Sequence, residues 1–200
     1  WFILVATMRI NRRQNSAEKA GALHQELSGL CATTFQQWPV CGPRCPSSDP
    51  RPCRSDCPDI PRALSDDPDA NPLEALVAPL VYELHRLDGY QTCWSCEGHD
   101  RFGELWKKPQ VWFYTEHQVH VRVLSEALTA LHLKKALRAE WEVVVTYSDP
   151  DNPDTTYALR PRQDGAPARL DELRIDLATM AKVLVDQCRR SAADLRASAA

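Results

Sequence analysis

The stretch from Pro39 to Pro72 constrains this chain more than any other, because it holds nine of the fifteen prolines and four of the eight cysteines. Proline lacks the backbone donor that helices and sheets need, and its ring blocks the helical turn before it. Ser, Asp and Arg fill the gaps between the prolines, with few large apolar side chains. Such a segment buries too little surface to offset the entropy of being ordered. A connection this long inside a compact protein is either a tether or is held by something other than a hydrophobic core.

Sulfur is what the segment offers instead. Cys41-x3-Cys45-x7-Cys53-x3-Cys57 presents two close thiol pairs, the supply that a tetrahedral four-cysteine zinc site takes from a loop. Gly42-Pro43 and Ser55-Asp56 are turn residues that let each pair chelate. Binding a structural zinc contributes on the order of 10 kcal/mol in small zinc modules, enough to fix such a loop. Cys31 is a spare donor. The rival is an iron–sulfur cluster: the Cys45-Pro46 and Cys57-Pro58 steps fit it, but those clusters use tighter spacings than these.

Composition therefore divides the chain into an N-terminal helical segment (1–38), a Pro/Cys-rich metal-binding loop (39–72) and an α+β domain (73–200). In the first, Ala17, Ala20, Leu23, Leu27 and Leu30 recur at helical spacing. In the third, Asn71-Pro72 reads as a helix start, with Leu76, Leu80, Leu84 and Leu87 as its stripe and Gly89 as its stop. Pro79 either kinks that helix or begins it. Tyr90 to Ser95 and Val111 to Thr115 read as strands around the turn-rich Glu97 to Pro109. Val121, Leu124, Leu128, Leu131 and Leu137 predict a helix, and Trp141, Val143, Val145 and Tyr147 alternate as a strand.

The Asp, Asn and Pro of Ser148 to Asp154 predict a turn into a last strand, Thr155 to Leu159. Leu170, Leu173, Leu177, Met180 and Leu184 then mark a long amphipathic helix, able to cover the sheet or a second copy of the chain. The order predicts a two-layer α+β sandwich: a mainly antiparallel four-stranded sheet with helices on one face.

Charge and hydropathy remove several function classes. A net charge of -3 is not that of a protein holding nucleic acid by bulk electrostatics, although local basic patches stay open. The longest apolar run, Trp1 to Ala6, is far short of the roughly 20 residues that cross a bilayer. Those first residues lack the basic start and cleavage site of a secretory signal, which predicts a natural start at Met8 and a cytoplasmic, reducing environment. There, thiols serve as ligands, redox groups or small hydrophobes.

Thr92-Cys93-Trp94-Ser95-Cys96-Glu97-Gly98-His99 is the most distinctive stretch of the third region. One reading makes Cys93, Cys96 and His99 ligands of a second metal, with His117 or His120 as further donors. Three protein ligands and an open position suit a catalytic ion, with Cys96, Glu97 and His99 as the working residues and Glu97 as general base. On a straight strand, Cys93 and Cys96 point to opposite faces, so both reach one ion only if the chain bends. A second reading makes Cys93 and Cys96 a dithiol redox pair, although acidic Glu97 and Asp100 follow where a helix N-terminus normally lowers the thiol pKa.

In a third reading, Ser95-Cys96-Glu97-Gly98-His99 resembles the Ser-Cys-Ser-Gly-Arg signature of the wybutosine-synthesising tRNA methyltransferase family, which carries it at a strand end in an α+β domain. It is similar, too, to a Ser-Cys-x-Gly-His turn in small proteins of no assigned activity. The resemblance covers this stretch alone, with Glu97 and His99 in place of serine and arginine, and implies a loop facing a small molecule or RNA.

Elsewhere, His117 and His120 share a helix face, and Trp106-Lys107-Lys108 alone places an aromatic beside two cations. The sequence as a whole predicts a zinc-binding protein with a structural four-cysteine site and a second Cys/His site around Cys96, Gly98, His99 and His117. A non-enzymatic interaction module and a thiol redox protein are the alternatives.

Overall fold

A computed structural model describes residues 17–31, 73–146, 154–164 and 168–199. The four loop cysteines, Cys41, Cys45, Cys53 and Cys57, and the Asn71-Pro72 step lie outside the described residues, as do the start at Met8 and most of the 148–154 turn.

Among the described residues, four helices and six strands follow one another as α1 (Ala17–Cys31), α2 (Ala78–His85), β1 (Gln91–Cys96), β2 (His99–Arg101), β3 (Glu104–Lys107), β4 (Gln110–Tyr114), α3 (Gln118–Leu133), β5 (Trp141–Thr146), β6 (Thr156–Pro161) and α4 (Leu170–Ala199). The main sheet runs β1-β4-β6-β5 with every pair antiparallel. This is the α+β sandwich that the pattern of helices and strand pairs predicts.

Period decides each face. Val111 and Phe113 on β4 pair with Leu159 and Tyr157 on β6. The first three join a core with Leu124 and Leu128 of α3 and Leu173 and Leu177 of α4. The opposite face carries Trp94 and Trp112, paired across β1 and β4, and the Glu142–Arg160 ion pair across β5 and β6. Val145, expected inside, is 72% exposed, next to the last residue of β5.

Pro79 begins its helix rather than kinking it, sitting in the first turn of α2, where the missing N–H has no partner to lose. In α3 the inward residues are Val123 and Leu124 rather than Val121. Leu137 is buried after the helix has ended. The turn-rich segment after β1 contains an unforeseen hairpin, β2 and β3, paired with each other and not with the main sheet.

Helices from both ends of the chain share one core. Leu27 and Leu30 of α1 lie in the same core as Leu184 of α4, so the change of composition after residue 38 does not divide the core. The α4 stripe of Leu170, Leu173, Leu177, Met180 and Leu184 is buried within the chain, leaving that face already covered. A further tie is Asp176, fully buried, whose carboxylate accepts from the Arg138 and Ala139 N–H groups and from the Trp141 indole at 2.9–3.1 Å. Three donors compensate the desolvation of this charge.

Candidate metal centre

The end of β1 is shaped by a bulge and a glycine. The β1–β4 register slips between Thr92 and Trp94, leaving Cys93 as the extra residue and turning it out to solvent. The remainder of the strand then runs in a new phase that buries Cys96. Gly98 follows at φ +81, where a Cβ would stand 2.7 Å from Leu170 Cδ1 and 2.8 Å from Pro109 Cδ. Only glycine combines that left-handed backbone with so close an approach.

Arg174 of α4 holds the turn from below, donating to the Gly98 carbonyl at 2.8 Å and pairing with the Glu97 carboxylate at 3.1 Å. The other Glu97 oxygen accepts the Leu76 N–H at 2.9 Å. Glu97 thus has both carboxylate oxygens engaged, tying the turn to α4 and to the segment before α2. In return, the Glu97 N–H donates to Glu74 Oε2 at 2.6 Å, bringing in a carboxylate from before α2.

Glu74, Cys96 and His99 consequently meet, with one donor atom from each lying within 4.8 Å of the other two. His99 Nε2 stands 2.9 Å from Glu74 Oε1. Cys96 Sγ accepts the Gly98 N–H at 3.4 Å. Burial pushes the Cys96 thiol pKa up; Glu74 pushes the same way, against the Gly98 N–H and Lys107. Cys96 is buried while the His99 and Glu74 side chains are about a third exposed, at 38% and 34%, so the group has a closed side and an open one. Donors around a four-coordinate zinc lie roughly 3.3–3.8 Å apart, so an ion would part the 2.9 Å His99–Glu74 pair slightly and fit within the group by a small adjustment. One thiolate, one imidazole and one carboxylate suit zinc and leave a fourth position.

The other expected ligands go elsewhere. Cys93 stands outside the group because the bulge aims it away. Burial pushes the pKa of the Cys93 thiol up as well, and both cysteines are free thiols. The depressed pKa that a redox pair needs is therefore lacking at either sulfur. His117 and His120 lie by Gln91, at the other end from Cys96 of a strand roughly 17 Å long. They help line an open pocket of about 1050 Å³ beside Gln91, the first residue of that strand. The single site expected around Cys96, His99 and His117 is thus two places.

In that pocket Glu26 of α1 bridges both rings, 3.3 Å from His117 Nε2 and 3.3 Å from His120 Nε2. Thr115 Oγ1 meets His120 Nδ1 at 2.9 Å. His120 stacks on Tyr90 and presses on Gly89, whose Cβ would fall 2.2 Å from its ring. Burial lowers the His120 pKa and outweighs the opposing effect of Glu26.

Glu74 is the ligand that sequence reasoning missed. It lies 22 residues before Cys96, beside no spacing that marks a site. No family model, curated protein or solved structure matches the chain, so its function has to be argued from this geometry.

Proposed function

We propose that the chain is a zinc-binding protein in which Glu74, Cys96 and His99 hold one ion with a fourth position open to solvent. Cys41, Cys45, Cys53 and Cys57 hold a second. The convergence of three unlike donors within 4.8 Å carries the reading, because it joins residues from before α2, the end of β1 and the start of β2. The ion fastens the segment before α2 to the root of the β2–β3 hairpin, a pair of strands too short to be stable alone. A single thiolate in this group favours zinc over an iron–sulfur cluster, which needs several.

The test separates the two ions. A chain with Cys41, Cys45, Cys53 and Cys57 all changed to Ser should still bind about one equivalent of cobalt(II), with a charge-transfer band of one-thiolate intensity. Adding Cys96→Ser should abolish that band and weaken zinc binding by more than about a hundredfold. His99→Ala should weaken zinc binding comparably. No metal uptake by the quadruple variant, or uptake unchanged by Cys96→Ser, would overturn the Glu74–Cys96–His99 assignment.

A further inference from the structure

The pocket at the Gln91 end of β1 holds a hydroxyl, an imidazole and a carboxylate in series. Glu26 offers one oxygen to each histidine, Oε1 to His117 and Oε2 to His120, so the carboxylate is fixed from two sides. An ionised carboxylate can only accept, so His120 carries its ring hydrogen on Nε2, towards Glu26. Nδ1 is then left as an acceptor, and the group 2.9 Å from it is the Thr115 hydroxyl. The hydrogen bonds therefore run in one direction, from Thr115 to His120 and from His120 to Glu26. Tyr90 stacks on the imidazole and donates its hydroxyl to the His120 carbonyl at 2.7 Å, which holds the ring in this setting.

The surroundings suit that order. His120 is 2% exposed, and burial keeps its ring neutral and able to accept a proton near pH 7. Glu26, the Gly89 backbone and Asp88 favour the charged form once it appears, against the smaller opposition of His117. Thr115 is only partly buried and borders the open volume of about 1050 Å³, so a carbonyl placed there meets its oxygen. Gln118, which begins α3, borders the same space, and the N-cap residue His117 supplies no side-chain cap. The first-turn N–H groups of a helix lack partners within it, and here they are the donors at hand for an oxyanion. The carboxylates lining the pocket are Glu26, Asp88, Glu116 and Asp154, with no Lys or Arg among the described lining residues. Such walls disfavour an anionic substrate and admit a neutral or cationic one.

We propose that Thr115, His120 and Glu26 form a hydrolytic relay for neutral or cationic carboxylic esters. Thr115 Oγ1 attacks the ester carbonyl carbon, and its proton passes to His120 Nδ1. The tetrahedral adduct collapses, the C–O bond to the alcohol breaks, and His120 returns the proton to the leaving oxygen. Water then adds to the acyl-threonine, giving a proton to His120; the carboxylic acid leaves as Thr115 takes that proton back. Glu26 does not touch the substrate. It is a positioning residue that fixes the ring tautomer and steadies the imidazolium. The relay draws on no ion held by Glu74, Cys96 and His99, at the other end of the strand.

Hydrolysis of p-nitrophenyl acetate by the full chain tests the relay, with mass spectrometry of acid-quenched samples locating the acetyl group. Acetyl should be found on Thr115, and kcat/KM should rise with pH to a plateau through a midpoint below 6.5. Thr115→Ala should lower kcat/KM by about a hundredfold or more, with Thr115→Ser restoring it, and His120→Gln should match the loss. Glu26→Gln should lower kcat rather than raise KM, and should move the pH midpoint further down, because Glu26 favours the protonated ring. Thr115→Val keeps the shape without the hydroxyl and takes the place of Thr115→Ala if circular dichroism shows the latter unfolded. A folded chain that leaves the ester intact overturns the proposal, as does acetyl found only on other residues or a rate that Thr115→Val leaves unchanged. Turnover lost when a zinc chelator is added to a chain that stays folded would assign the hydrolysis to the ion, and overturns it as well.

Discussion

The two ends of β1 use the same parts to opposite purposes. At each, a carboxylate from a preceding segment meets histidine beside a glycine of positive φ: Glu74 with His99 near Gly98, and Glu26 with His117 and His120 near Gly89. At the Cys96 end the donors point inward at one another and one side is open. At the His120 end the carboxylate lies between two rings, one of them buried and satisfied by Thr115. The first arrangement gathers three unlike donors with one side open to solvent, whereas the second ties α1 to the start of α3. A cluster of ligating residue types is a metal centre only when the lone pairs converge.

The glycines should show the contrast at its largest. Gly89→Ala would force a Cβ into the His120 ring from a left-handed backbone, and should destabilise the protein by about 3 kcal/mol, measured by denaturant unfolding. Gly98→Ala meets the end of the Leu170 side chain and the Pro109 ring. It should cost somewhat less stability but displace His99, so that metal affinity falls more than stability does. Equal losses of metal affinity in both variants would break the distinction.

The carboxylates give a smaller and cleaner comparison. Glu26→Ala should cost about 1 kcal/mol and speed amide hydrogen exchange along α1, with no change in cobalt binding to the quadruple-serine chain. Glu74→Ala should change stability by under about 1 kcal/mol without metal, since its pair with His99 is substantially exposed, yet should weaken the ion markedly. A cobalt response to Glu26→Ala would make the His120 end a metal site as well.

The smallest effect is a pH dependence belonging to the His120 end. Its pKa is held below the ordinary 6.5 by burial, so below that value the unfolded chain takes up the proton first. The stability it supports is therefore complete above about pH 6.5 and is lost as pH falls through the lowered folded value. His85, also lowered by burial, adds to the same slope. His120→Gln should flatten the fall in melting temperature between about pH 6.5 and 5, and an unchanged slope would place the acid sensitivity elsewhere.

Much of this was legible in the residues themselves. The α4 stripe from Leu170 to Leu184, the α1 spacing through Leu27 and Leu30, and the strand positions around Trp94 and Phe113 all follow from side chains repeating with the period of their own backbone. The turn at Cys96-Glu97-Gly98-His99 stood out because glycine, thiol and imidazole are adjacent in the chain. Local pattern misread the faces where no period fixes them: the bulge at Cys93 reverses the phase of β1, and Val145 alternates correctly but stays exposed.

What the sequence alone determined is thus the helices, the strands of the main sheet and most of their apolar faces, since backbone geometry sets those within a few residues. Tertiary structure decided which remote groups meet. It brought Glu74 to Cys96 and His99, tied up Glu97 with Arg174, carried His117 and His120 to the opposite end, and left Trp106 exposed. Such meetings depend on how helices and strands stack in space, and no spacing along the chain records that.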